Sequence, residues 1–184
     1  MTAKECMLSR RSTRAFKSDK VSKALLDQIV EAGLYAPSAM NEQPWTFTVV
    51  TNESKLAAIN DAVKKYFAST GEERYVARAA DKNYCCYYGA PALIIVSCAE
   101  GALFPVEDAS CALQNIFLRA HELGLGSCWI NQLGGKACDY PAIRELLDGF
   151  GVAHSDKVYG CAAIGYIKTE TEQKPRRGAV KFID

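Results

Sequence analysis

Ala92-Leu93-Ile94-Ile95-Val96-Ser97-Cys98 is a continuous apolar run with β-branched residues at its centre. It lacks the alternation of a half-exposed strand, so it reads as a strand covered on both faces and placed centrally in a sheet. Working upstream, residues 68–83 are polar and irregular, and 54–67 carries Leu56, Ile59 and Val63 at helical spacing. Residues 45–51 form a strand-length run with Trp45, Phe47, Val49 and Val50. Ser22 caps a helix over 22–35 that presents Leu25, Leu26, Ile29 and Val30 and stops at Pro37. Downstream, 107–123 is the longest helical segment, with Ala112, Leu113, Ile116, Phe117 and Ala120 inward and Gly124 ending it. A short strand is expected over 127–130, and a short helix capped by Asp139 through Leu147. A further strand, 158–167, has Gly160, Ala162 and Ala163 to admit close neighbours. Ala179-Val180-Lys181-Phe182-Ile183 is strand-like too and needs a sheet edge, its own or a partner's.

The 184 residues match the usual size of one domain and can bury a core without a metal or disulfide. Hydrophobic residues make up 49% and charged residues 23%, which excludes global disorder. Lys plus Arg number 22 against 21 Asp plus Glu, too balanced for a nucleic-acid or membrane-surface field. The charge-free run 83–99 is interrupted by Gly89 and Pro91 and falls short of a membrane span. Residues 1–14 are polar and basic with no apolar leader, so a cytoplasmic chain with eight reduced cysteines is expected. Cys85 and Cys86 are adjacent and the other six stand apart without a C-x-x-C knuckle, so no metal site is expected.

Arg10-Arg11-Ser12-Thr13-Arg14 offers three guanidiniums and two hydroxyls, chemistry suited to a phosphate monoester, though a solvated basic terminus explains it equally. Lys174, Arg176 and Arg177 form a second basic cluster, again either an exposed turn or the far end of the same anion's site. The loop 36–45, with Ser38, Asn41 and Gln43, can hydrogen-bond a heterocycle or simply turn the chain. Leu123-Gly124-Leu125-Gly126-Ser127-Cys128-Trp129 is not a dinucleotide fingerprint, because its glycines close a helix and Trp129 stands where the third would be. His121 and His154, the only histidines, show no triad logic, so chemistry belongs to a cofactor.

As a set these residues resemble the nitroreductase family. The likeness runs from Arg10-Arg11-Ser12-Thr13-Arg14-Ala15-Phe16 through Ala36-Pro37-Ser38, Asn41-Glu42-Gln43-Pro44-Trp45 and Gly89-Ala90-Pro91-Ala92. It continues through Asp108-Ala109, Gln114-Asn115 and the 123–130 segment to the basic turn before the last strand. The resemblance implies one FMN-binding domain over 1–184, an α+β sandwich around a central mixed sheet. It also implies a homodimer in which the C-terminal strand is exchanged and FMN lies at the interface. Carried over, Arg10, Arg11, Ser12, Lys174 and Arg176 surround the phosphate and ribityl chain, and Arg14 approaches the N1 and C2 carbonyl side of the ring. Pro37, Ser38, Ala39, Asn41 and Gln43 form a ring-side loop from the partner, and the backbone of Ile130, Asn131 and Gln132 lies near N5. Gln132 departs from members with glycine there.

The resemblance further implies hydride transfer from NADH or NADPH through FMN to a nitroaromatic, quinone or similar small acceptor by a ping-pong route. An FMN carrier or sensor, or a more specific flavin reductase or dehalogenase, are the alternatives. Neither nucleic acid nor membrane is expected as a partner.

Overall fold

The computed structural model describes residues 1–183. Its sheet has four strands, β1 (Trp45–Val50), β2 (Ala92–Cys98), β3 (Gly126–Ile130) and β4 (Lys157–Gly165), in the order β1-β2-β4-β3. Every residue of β2 is buried, because the strand lies between β1 and β4 and is covered above and below. The two-residue period of the strand divides its side chains between two cores. Leu93 and Ile95 join Val50, Ile59, Val63 and Leu147 on one face, and Ile94 and Val96 join Ile29, Leu113 and Ile116 on the other. Helices α3 (Glu53–Ser69) and α6 (Pro141–Gly149) cover the first face; α2 (Lys23–Leu34) and α5 (Pro105–Glu122) cover the second. The α+β sandwich is therefore as expected, but all three ladders are antiparallel, and the sheet's parallel component is one bridge, Ser12 to Ser127.

Ser22 caps α2 by accepting the Leu25 N–H, and Asn52 caps α3 by accepting that of Lys55. Gly160 lets β4 approach α5: a Cβ there would stand 2.7 Å from Leu113 Cδ1. Two helices were not foreseen. The first, α1 (Ala3–Ser9), opens on a capping box in which the Thr2 hydroxyl accepts the Glu5 N–H and the Glu5 carboxylate accepts the Thr2 N–H. The second, α4 (Glu73–Ala80), falls in the polar stretch and buries no residue. Asp139 ends a 3-10 turn instead of capping α6, which begins at Pro141 after Tyr140. Residues 179–183 pair with no strand of their own chain; Val180, Phe182 and Ile183 are 78%, 89% and 95% exposed.

Candidate functional site

The segment after α1 runs extended beside β3. The Thr13 N–H donates to the Ser127 carbonyl at 2.9 Å, next to the Ser12–Ser127 bridge. Gly126 makes this approach possible, since a Cβ there would meet Thr13 Oγ1 at 2.5 Å. The C-terminal chain then runs back along the same segment. Lys17 N–H donates to the Tyr166 carbonyl, Phe16 bridges antiparallel to Ile167, and Lys168 N–H donates to the Ala15 carbonyl. The Thr171 hydroxyl donates to the Ser12 carbonyl at 3.0 Å. This antiparallel course carries the second basic cluster toward the first.

Arg176 comes close enough for its charge to act on Arg10. The Arg10 guanidinium lies 6.0 Å from the centroid of the Phe117 ring, and its pKa is lowered by burial first, then by the positive charges of Arg11 and Arg176. Burial pushes the pKa of the Cys128 thiol on β3 up, while the nearby positive charges of Arg14 and Arg10 oppose that shift. Among the described residues none of Arg10, Arg14, Lys174 and Arg176 is paired with a carboxylate. Arg11 points differently. Its Nη1 donates to the Leu8 and Arg10 carbonyls, capping the end of α1, and its Nε is buried without a partner beside a cavity of about 270 Å³ that Thr13, His121 and Thr171 also line. Ser12 is half-buried and Lys174 exposed.

The 36–45 loop is built on its own hydrogen bonds. The Ser38 hydroxyl accepts the Gln43 N–H at 3.0 Å, and Gln43 Nε2 donates to Asn41 Oδ1 at 3.0 Å. Met40, Asn41 and Gln43 all have left-handed backbones, with φ of 50°, 58° and 49°. Non-glycine residues adopt that region only when the surroundings enforce it. Asp108 contributes: its Oδ1 accepts the Ala39 N–H at 2.9 Å, while Oδ2 is buried and unpartnered. Asp108 sits in the first turn of α5, and Phe117, beneath Arg10, comes nine residues later, about 14 Å along the axis. The loop of Pro37, Ser38, Ala39, Asn41 and Gln43 is thus anchored, through Ala39, to a different part of α5 from Arg10.

Ile130 is buried at the end of β3, and the next N–H, that of Asn131, donates to Gln132 Oε1 at 2.9 Å. The glutamine side chain therefore caps the backbone that a glycine would leave open. Asn131 and Gln132 border a hollow of about 240 Å³ beneath α4. The histidines are engaged structurally. His154 Nδ1 lies 2.8 Å from Asp148, and His121 Nε2 lies 2.7 Å from Ser9 Oγ. Burial, with Arg10 and Arg11 nearby, lowers the His121 pKa, the opposite of what a hydrolytic base needs. Among the described residues no cluster of His, Cys, Asp and Glu could hold a metal, and no helix is long and apolar enough to cross a membrane.

Neither Asp108, which ties down the loop, nor Thr171, which ties the tail to Ser12, stood out as a contributor in the sequence. A buried acid one helical turn into an amphipathic helix was the available signal for Asp108; Thr171 had none.

The model of the nitroreductase family matches residues 7–166. A protein of Archaeoglobus fulgidus named NADH dehydrogenase/NAD(P)H nitroreductase is 32% identical over 177 residues, covering 91% of this chain and 88% of its own. One of the same name from Methanothermobacter thermautotrophicus is 37% identical over 134 residues, 70% of this chain but 60% of its own length. A nitroreductase of Bacteroides fragilis, solved with bound FMN, superposes with a TM-score of 0.94 at 39% identity, and each chain covers 100% of the other.

Proposed function

This chain belongs to the nitroreductase family, and we propose that it acts as an FMN-dependent oxidoreductase that moves electrons from NADH or NADPH to a small electrophilic acceptor. The observation that carries the reading is the convergence of Arg10, Arg14 and Arg176 with no carboxylate paired to them among the described residues. Cations gathered at a cost of mutual repulsion call for an anion, and a phosphate dianion matches the guanidinium fork. The donor set therefore fits FMN, as does the relative solved with that cofactor.

Arg10, Ser12, Lys174 and Arg176 would grip the phosphate and ribityl end. Arg11 contributes positive potential there, its Nη1 being committed to backbone carbonyls. Arg14, exposed on its own chain, is the cation for the pyrimidine edge of the flavin, where negative charge grows on reduction. Ile130, Asn131 and Gln132 supply the wall near N5, with the Gln132 side chain already bonded to the Asn131 N–H. Bound FMN would supply the redox chemistry, taking hydride from NADH or NADPH and passing two electrons to a nitroaromatic, quinone or similar acceptor in separate half-reactions, with protons drawn from water.

A second copy completes this site. The loop of Pro37, Ser38, Ala39, Asn41 and Gln43 is held through Asp108 about 14 Å along α5 from Phe117 beneath Arg10, and on this reading it serves the partner's flavin. The tail supports the same homodimer. The outer side of β3 carries the Ser12 bridge, leaving β1 as the open edge, beside a groove lined by Val21, Leu26, Val30, Phe47 and Val49. Val180, Phe182 and Ile183, exposed on their own chain, are suited to add a strand there and cover the groove. We place this single-domain enzyme in the cytoplasm, consistent with eight free cysteines.

The test is the visible spectrum of the purified protein before and after NADH or NADPH. A yellow protein bleached by either donor is expected, with parallel double-reciprocal lines when donor and acceptor are varied. Colourless material that takes up no FMN overturns the reading, and a yellow protein bleached by neither donor makes it a carrier.

A further inference from the structure

The hollow beneath α4 is separate from the groups assigned to the FMN phosphate. Tyr66, Phe67 and Tyr75 wall it, Asn131 and Gln132 border it, and Arg78 stands at its lip. Its volume of about 240 Å³ equals roughly eight waters, the bulk of a single substituted ring. Phe67 and Tyr75 stack with centroids 4.6 Å apart and planes at 27°, forming an aromatic shelf between α3 and α4. This shelf helps hold α4 in place, since that helix has no fully buried residue and packs on the core through the half-buried Tyr75 and Ala79.

The polar groups around the shelf are unevenly used. Arg74 is committed, paired with Glu72 at 3.1 Å and lying over the Tyr75 ring at 4.5 Å. Arg78, one turn later, has no ion-pair partner among the described residues. Burial pushes the pKa of the Tyr84 hydroxyl up to about 12, while the Arg78 charge and the adjacent Gln132 side chain pull it down, so Tyr84 backs Gln132 from behind. Gln132 spends its oxygen on the Asn131 N–H, which leaves its amide as a donor. An unpaired guanidinium and the Gln132 amide thus border one ring-sized space. Donors without acceptors beside an aromatic wall call for a planar ring that carries an anionic, two-oxygen group.

Building on the oxidoreductase reading, we propose that this hollow receives the electron acceptor and that Arg78 selects aromatic acceptors bearing a carboxylate. The ring lies against the Phe67–Tyr75 shelf and the carboxylate meets the guanidinium. Arg78 is a specificity residue in this assignment, and α4 is the element that carries it.

The test uses the FMN-loaded protein and ligands that cannot be reduced. Calorimetric titration should show that Arg78→Gln raises the Kd of benzoate about tenfold and leaves that of neutral benzamide unchanged, with Arg78→Lys recovering part of the loss. In turnover the KM for 4-nitrobenzoate should rise while that for nitrobenzene holds, at unaltered FMN content. Equal changes for the charged and neutral ligands, or no change, overturn the proposal. An effect confined to the KM of NADH or NADPH also overturns it, because the guanidinium then serves the phosphates of the donor. A parent protein that binds no FMN defeats the oxidoreductase reading and this inference with it. A yellow, bleachable parent that treats benzoate and benzamide alike defeats only the assignment of Arg78.

Discussion

Arg10 combines burial with positive charge. It sits over Phe117, its pKa is lowered by burial and by two neighbouring cations, and no carboxylate among the described residues relieves it. A hydrogen bond from such a group to an ion contributes about 1.5–3 kcal/mol. Arg10→Ala is therefore expected to weaken FMN binding at least tenfold by equilibrium dialysis; unchanged affinity would remove Arg10 from the phosphate site. His121 titrates below its ordinary value, about 6.5, because burial and then Arg10 and Arg11 disfavour the imidazolium. As pH falls through 6.5 the unfolded chain takes up this proton before the folded one. Stability then declines until the lower folded pKa is passed. Urea midpoints between pH 7 and pH 5 should fall more steeply for the parent than for His121→Gln, and equal slopes would refute the shift.

Elements with an apolar period were legible within a few residues of their bounds. β2 is found at 92–98 as read, α2 and α3 lie within two residues of expectation, and α5 begins two residues early at Pro105. The helices that escaped are those without such a period. The Thr2–Glu5 capping box was in the sequence as T-x-x-E, but only Cys6 of α1 is buried. In α4 no residue is buried, and tertiary contact through Tyr75 holds what no apolar stripe announced. Between elements, the approach of residues 12–13 to β3 depends on the bare Cα of Gly126. Gly126→Ala forces Thr13 or the strand to move and is expected to cost about 1–3 kcal/mol. It should appear as a lower urea midpoint at constant m-value with reduced FMN content; a wild-type midpoint would show that the contact is soft.

For the whole chain, the decisive question is whether the flavin site needs two copies. An exposed apolar tail and an open β1 edge, with Val21, Leu26, Val30, Phe47 and Val49 lining a groove beside it, argue that it does. Sedimentation should show a dimer. Truncation after Glu172 removes Lys174, Arg176 and residues 179–183 and is expected to yield a monomer that no longer retains FMN. A truncated protein that remains dimeric and yellow would place both interface and phosphate site elsewhere.

The central strand, the amphipathic helices and the inventory of basic and hydroxyl side chains at residues 10–14 are local properties, set by residue type and spacing along the chain. They could be read before any coordinates because period and composition act between near neighbours. The convergence of Arg10 with Arg176, the turning of Arg11 toward the α1 carbonyls, and the separation of the 36–45 loop from both have no local signature. They arise from the path of the backbone around the sheet, which brings residues distant in sequence into contact through the cooperative packing of two cores.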